Sequence, residues 1–117
     1  MLEAAGDAVV LPAGLTHVRT TDVLDEQHHP AGILRAHRVA EGVWARLVVQ
    51  SGALAFVFED RPDAVRAVGA GEAVVIPPGR LHHVEIAGPV RFVLEFHRAA
   101  ATAAPAAGTE STGLAGP

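Results

Sequence analysis

A chain of 117 residues has room for one domain with a modest core, and an apolar content of 50% with only four Phe and one Trp makes that core aliphatic. The formal charge is −4 and all nine basic residues are arginines placed singly from Arg19 to Arg98, which argues against a nucleic-acid partner. Cysteine is absent, so disulfides and thiolate ligands are excluded and any metal must be held by imidazole and carboxylate.

Residues 1–10 read as a lead. Met1 to Asp7 has neither the basic start nor the apolar block of a signal peptide, and no apolar run nears ~20 residues, so a soluble cytoplasmic protein with no membrane partner is expected. From residue 11 to residue 98, period-two alternation or short runs of Val, Ile, Leu and Phe are broken by Gly or Pro about every eight to twelve residues, the rhythm of an all-β fold. The predicted strands are 16–21, 33–39, 43–50, 53–59, 64–68, 73–76, 81–86 and 90–98. Eight short strands suit a jelly-roll barrel forming a single domain. The link Gln50-Ser51-Gly52-Ala53 reads as a tight hairpin, with Leu47 and Val49 before it and Leu54, Phe56 and Phe58 after it supplying much of the core. Asp60-Arg61-Pro62-Asp63 reads as a charged turn. Residues 99–117 are Ala, Thr, Gly, Pro and Ser with little else, too poor in large apolar groups to offset the entropy of ordering, and are expected to form a flexible tail.

The chemistry-bearing residues are histidines. Gly71 to Ile86 reads as strand, Pro77-Pro78-Gly79 corner, then a strand that starts near His82 and sets an imidazole at the mouth of the barrel. Alternation puts His82 on a face with Val84 and Ile86, and His83 on the other with Leu81 and Glu85. An imidazole among aliphatic neighbours needs a hydrogen bond or a metal for its nitrogens, and burial favours the neutral form that ligates metal. The plain alternative is a core histidine bonded to a backbone carbonyl. His37 groups with Ile33, Arg35 and Val39 and is the candidate partner. Two imidazoles from distant strands begin a zinc, iron, manganese or nickel site that carboxylates or water complete. Glu85 is the nearest acidic candidate, although a regular strand aims it away from His82 and only a bulge would turn it inward. His83 and Glu85 otherwise read as an exposed pair, Glu41 as a solvated turn residue, His97 as a surface residue, and His28-His29 as loop chemistry beside Asp25-Glu26. No nucleophile elbow or phosphate loop is present.

Gly71, Pro77, Gly79 and His82 fall at every fixed position of the second cupin motif: glycine, five residues, proline, any residue, glycine, two residues, histidine. The stretch from Leu11 to Arg98 resembles the TehB/YeaR-like family of small cupin domains. The resemblance rests on 11–21, on Pro30 to His37, on Gly42 to Val49 followed by Gly52, and on His82-His83-Val84-Glu85. It implies a cupin-type double-stranded β-helix with His37 and His82 at motif positions and Glu85 as a family-like third ligand. In larger metal-binding cupins the first motif carries a glutamate with six residues between it and a glycine. Counting back from Gly52 puts Ala45 there, and neither Trp44 nor Arg46 replaces it. Glu41 falls near the second histidine position of that motif, with His37 slightly out of register. The methyltransferase activity associated with the longer tellurite-resistance proteins is not expected to carry over, since only a short Ala-rich stretch and no nucleotide-binding βαβ unit follows the barrel in this sequence.

Three functions follow. The first is a small cupin binding a divalent metal, a small molecule or an anion at the barrel mouth, in tellurite- or nitrite-type stress physiology that the resemblance alone implies. The second is a dioxygenase-like metal enzyme using the same histidines. The third is a metal-free binding or interaction domain. A homodimer through edge strands is compatible with each.

Overall fold

The computed structural model describes residues 9–99, so the lead up to residue 8 and the tail from residue 100 lie outside the described residues. Seven strands are present: β1 Leu15–Thr20, β2 Leu24–Asp25, β3 Val43–Phe58, β4 Arg66–Gly69, β5 Ala73–Ile76, β6 His82–Glu85 and β7 Val90–Ala99. A short 3₁₀ turn, Ala31–Leu34, stands between β2 and β3, and the described residues hold no α-helix. Every strand pairing is antiparallel, with β1 and β2 on β7, and β4, β5, β6 and β7 all on β3. The fold is the all-β, cupin-type barrel expected from the sequence.

Strand β3 organises the barrel. Its first half pairs with β5 and β7, its second half with β4 and β6, so one 16-residue strand serves both sets of neighbours. The expected hairpin at 50–53 does not form. Instead the β3–β7 register slips between Val49 and Ser51, and Gly52, at φ 72°, carries the strand around a bend. A Cβ on Gly52 would lie 2.1 Å from the carbonyl oxygen of Pro89, so only glycine allows β7 to pass this close. The slip also changes phase: Ala45, Leu47 and Val49 point inward before it, Leu54 and Phe56 after it. Together with Phe92, Val68 and Val74 these form the core, and burying each large aliphatic or aromatic side chain stabilises by about 1.5–3 kcal/mol.

The second expected strand, 33–39, is the other departure. Pro30 and Gly32 open the segment, and the bonds Ile33 N–H to Pro30 O (3.2 Å) and Arg35 N–H to Gly32 O (3.1 Å) satisfy the backbone within a turn. Only His37 reaches a ladder, as an isolated bridge to His82. Of the residues grouped with His37, Ile33 and Val39 are buried without the strand, whereas Arg35 is exposed.

Candidate functional site

The Pro77-Pro78-Gly79 corner is pinned by the Gly79 N–H, which donates to Val39 O at 3.0 Å with Gly79 at φ 74°. Three residues after Gly79 β6 starts, and His37 and His82 exchange both backbone bonds, each N–H donating to the other's carbonyl at 2.9 Å. This reciprocal pair brings the rings to a centroid separation of 4.2 Å, edge against face. Each Nδ1 lies 2.8 Å from the carbonyl two residues back, His37 from Arg35 O and His82 from Arg80 O. A carbonyl only accepts, so Nδ1 carries the proton in both rings and Nε2 is the nitrogen left for a ligand. No described side chain hydrogen-bonds either Nε2.

His82 is 2% exposed and stacks on Phe56 at 5.3 Å. Burial drives its pKa from 6.5 down to about 4, against a smaller opposing effect of the Arg80 carbonyl, so the ring is neutral at pH 7. Both rings line a cavity of about 310 Å³ whose walls include Ile33, Val39, Ala45, Ile76, Leu94 and Phe96. Arg19 and Arg38, both exposed, also line it, and the Arg19 guanidinium sits 5.0 Å from the centroid of the Phe96 ring. Ala45, at the position where larger metal cupins place a glutamate, forms part of the wall.

Glu85 does not join the histidine pair. Strand β6 stays in regular register with β3, Glu85 opposite Ala55 and His82 opposite Phe58, so the bulge that would turn Glu85 inward is absent. Its carboxylate accepts from His83 Nε2 at 2.9 Å on the outer face, while His83 Nδ1 bonds Glu59. Two carboxylates require His83 to donate from both nitrogens, which makes it an imidazolium, and the bonds to Glu85 and Glu59 raise its pKa above 6.5. Among the described residues no group of three or more His, Asp and Glu side chains is placed to hold a metal.

The remaining candidates fall elsewhere. Asp25 accepts from the backbone of Gln27 and His28 and from the His28 ring, which holds its carboxyl below the usual range and makes the loop a self-contained turn. Glu41 stands by the corner, its Oε2 3.8 Å from where a Cβ on Gly79 would be. His97 is not the surface residue that alternation implied: its side chain is 14% exposed, packed against His17, and its Nε2 is buried without a hydrogen bond. Alternation assigns a face but not what covers it. Phe56 and Arg19, which shape the site, carry no motif signal, and only the pairing of distant strands brings them in.

The TehB-like domain matches residues 19–94, a span that includes Arg19, His37, Ala45 and His82. The chain belongs to the TehB-like family. It is 34% identical over 83 residues to YeaR of Escherichia coli strain K12, an uncharacterized protein, across 64% of this chain and 70% of YeaR. A crystal structure of a protein from the same strain superposes with a TM-score of 0.71 at 30% identity, covering 79% of this chain and 98% of that one. TehB from Haemophilus influenzae superposes with a TM-score of 0.67 at 21% identity, over 74% of this chain and 32% of the longer TehB chain, a likeness of fold.

Proposed function

We propose that this small cupin binds a divalent metal ion, zinc, iron, manganese or nickel, through Nε2 of His37 and His82, with a small molecule or anion completing the site. The observation that carries the reading is the pair of Nδ1–H bonds to the carbonyls of Arg35 and Arg80, the outer anchoring that metal-ligating histidines use. The residues fit such an ion in tautomer and proximity, with His82 neutral, and supply two donors rather than a full set. A metal held there acts as a Lewis acid toward an oxygen of the bound molecule. His82 is locked by burial and His37, partly exposed, by its backbone bridge, and both rings stand beside an aliphatic wall.

The dioxygenase-like alternative has less support, because Ala45 stands in the wall where larger metal cupins carry a carboxylate. The metal-free alternative rests on a specific feature: two unpaired Nε2 acceptors can bind a donor on a ligand directly. Family membership is the support for tellurite- or nitrite-type stress physiology. Composition supports a cytoplasmic protein, and among the described residues no helix is long and apolar enough to cross a membrane. A homodimer remains part of the reading, β1 being paired on one side only among the described residues.

Metal analysis of tag-free protein tests the proposal, set beside His37→Ala and a His37→Ala/His82→Ala double variant with folding checked by circular dichroism. Stoichiometric metal in the parent and loss in folded His37→Ala supports it. Equal trace metal in both removes the metal readings and leaves the metal-free one.

A further inference from the structure

We infer that the cavity takes an organic hydroxycarboxylate, its carboxylate on Arg19, its apolar body against the aliphatic wall and its hydroxyl at the His37–His82 pair. The inference rests on the proposed site and names the class of molecule that fills it.

Size comes first. A cavity of about 310 Å³ is some ten water volumes at ~30 Å³ each, at the lower end of small-molecule pockets. A bare oxyanion of three or four atoms fills only a fraction of it. Such an anion would also lie desolvated against Ile33, Val39, Ile76 and Leu94, where charge is unfavourable and an apolar body is favoured.

The two polar ends then dictate complementary groups. At the inner end both Nε2 atoms are acceptors, so the facing group must be a hydrogen-bond donor or, with metal bound, a metal ligand; a hydroxyl is both. At the outer end Arg19 offers a planar fork matched to carboxylate. Its delivery is a feature of the backbone. The β1–β7 register slips between His17 and Arg19, so that His17 pairs with His97 on the outer face, while Arg19, two residues on, pairs with Phe96 and lines the cavity. In a regular strand those two residues would share a face; the bulge re-aims the arginine. Among the described residues Arg19 has no carboxylate partner, whereas Arg46 is paired with Glu95 and Arg80 with Asp60. The stacking on Phe96 holds the guanidinium at the mouth with its donors unspent.

Isothermal titration of metal-free and metal-loaded protein with 4-hydroxybenzoate and 6-hydroxyhexanoate tests this, with benzoate, 4-methylphenol, sodium nitrite and sodium tellurite as comparisons. At least one hydroxycarboxylate should bind in the submillimolar range, and removing either its carboxylate or its hydroxyl should weaken binding about tenfold or more. Arg19→Gln, at an exposed position, should fold normally, keep the metal content of the parent and weaken the hydroxycarboxylate by about tenfold or more. No binding of either hydroxycarboxylate up to about 10 mM, an unchanged affinity in Arg19→Gln, or tighter binding of nitrite or tellurite overturns the inference. Metal content is read separately, so hydroxycarboxylate binding to a protein that takes no metal overturns the metal proposal and leaves this one standing.

Discussion

His82 and His83 are adjacent in the chain, sit on opposite faces of one four-residue strand, and live in opposite electrostatic worlds. His82 faces inward, where Phe56 and the His37 ring exclude water and burial keeps it neutral with one nitrogen tied to Arg80 O. His83 faces outward, where Glu59 and Glu85 each accept one of its protons and hold it charged. The lesson is that the second shell decides what an imidazole can do. A carbonyl on one nitrogen leaves the other free for a ligand, whereas carboxylates on both leave no lone pair at all.

The largest effect that tests this contrast is truncation. His82→Ala removes a fully buried ring, its bond to Arg80 and its stack on Phe56, and is expected to cost about 2–4 kcal/mol in urea unfolding and to abolish metal binding. A loss under about 1 kcal/mol would mean that the ring is not part of the packed wall.

Next comes pH. For His82 the folded pKa is about 4 against 6.5 unfolded, so the unfolded state binds more protons between them and stability falls as pH drops through that window. The full excursion is about 3 kcal/mol in metal-free protein. His83 has the opposite sign: its folded pKa is raised, so its contribution is complete below about pH 6.5 and is lost as pH rises through the folded value. Unfolding free energy measured from pH 4 to 9 should therefore have an acid limb that His82→Gln flattens and an alkaline limb that His83→Gln flattens. Exchange of the two limbs between the variants would reverse the assignment.

Ala45→Glu sharpens the contrast from the inner side by supplying the carboxylate that the pair lacks. Metal affinity by competition with a chelator is expected to rise about 10- to 100-fold over the parent, with the metal-free variant less stable because the new carboxylate is buried. An unchanged affinity would place the wall at 45 out of reach of the histidines. The smallest effect belongs to His83→Ala: about 1 kcal/mol at pH 6, with metal content unchanged, because its partners are partly exposed and solvent screens them.

Much of the fold was legible locally. Five expected strands, at 16–21, 64–68, 73–76, 81–86 and 90–98, correspond to β1 and β4 to β7 within a residue or two at most ends, since period-two burial follows from the pleat itself. The bend at Gly52, where a hairpin was expected, was not legible. A turn and a bent strand use the same glycine, and the distinction lies in Pro89, which passes behind it and is remote in sequence. At the site, His37 and His82 were legible as candidates through their spacing and faces, and Ala45 as a missing carboxylate. Arg19 was not, because its aim depends on a bulge against β7.

The sequence by itself determined that the chain makes a cysteine-free all-β barrel, that His82 points in and His83 points out, and that Glu85 follows His83. Those properties depend on near neighbours and on the two-residue repeat of a strand. Only the tertiary structure decided that His37 bridges His82, that Phe56 stacks on His82, that Glu59 and Glu85 both bond His83, and that Arg19 lines the cavity. Each of those is a pairing between segments far apart in the chain, and such contacts exist only once β3 has bent and gathered its neighbours on both halves.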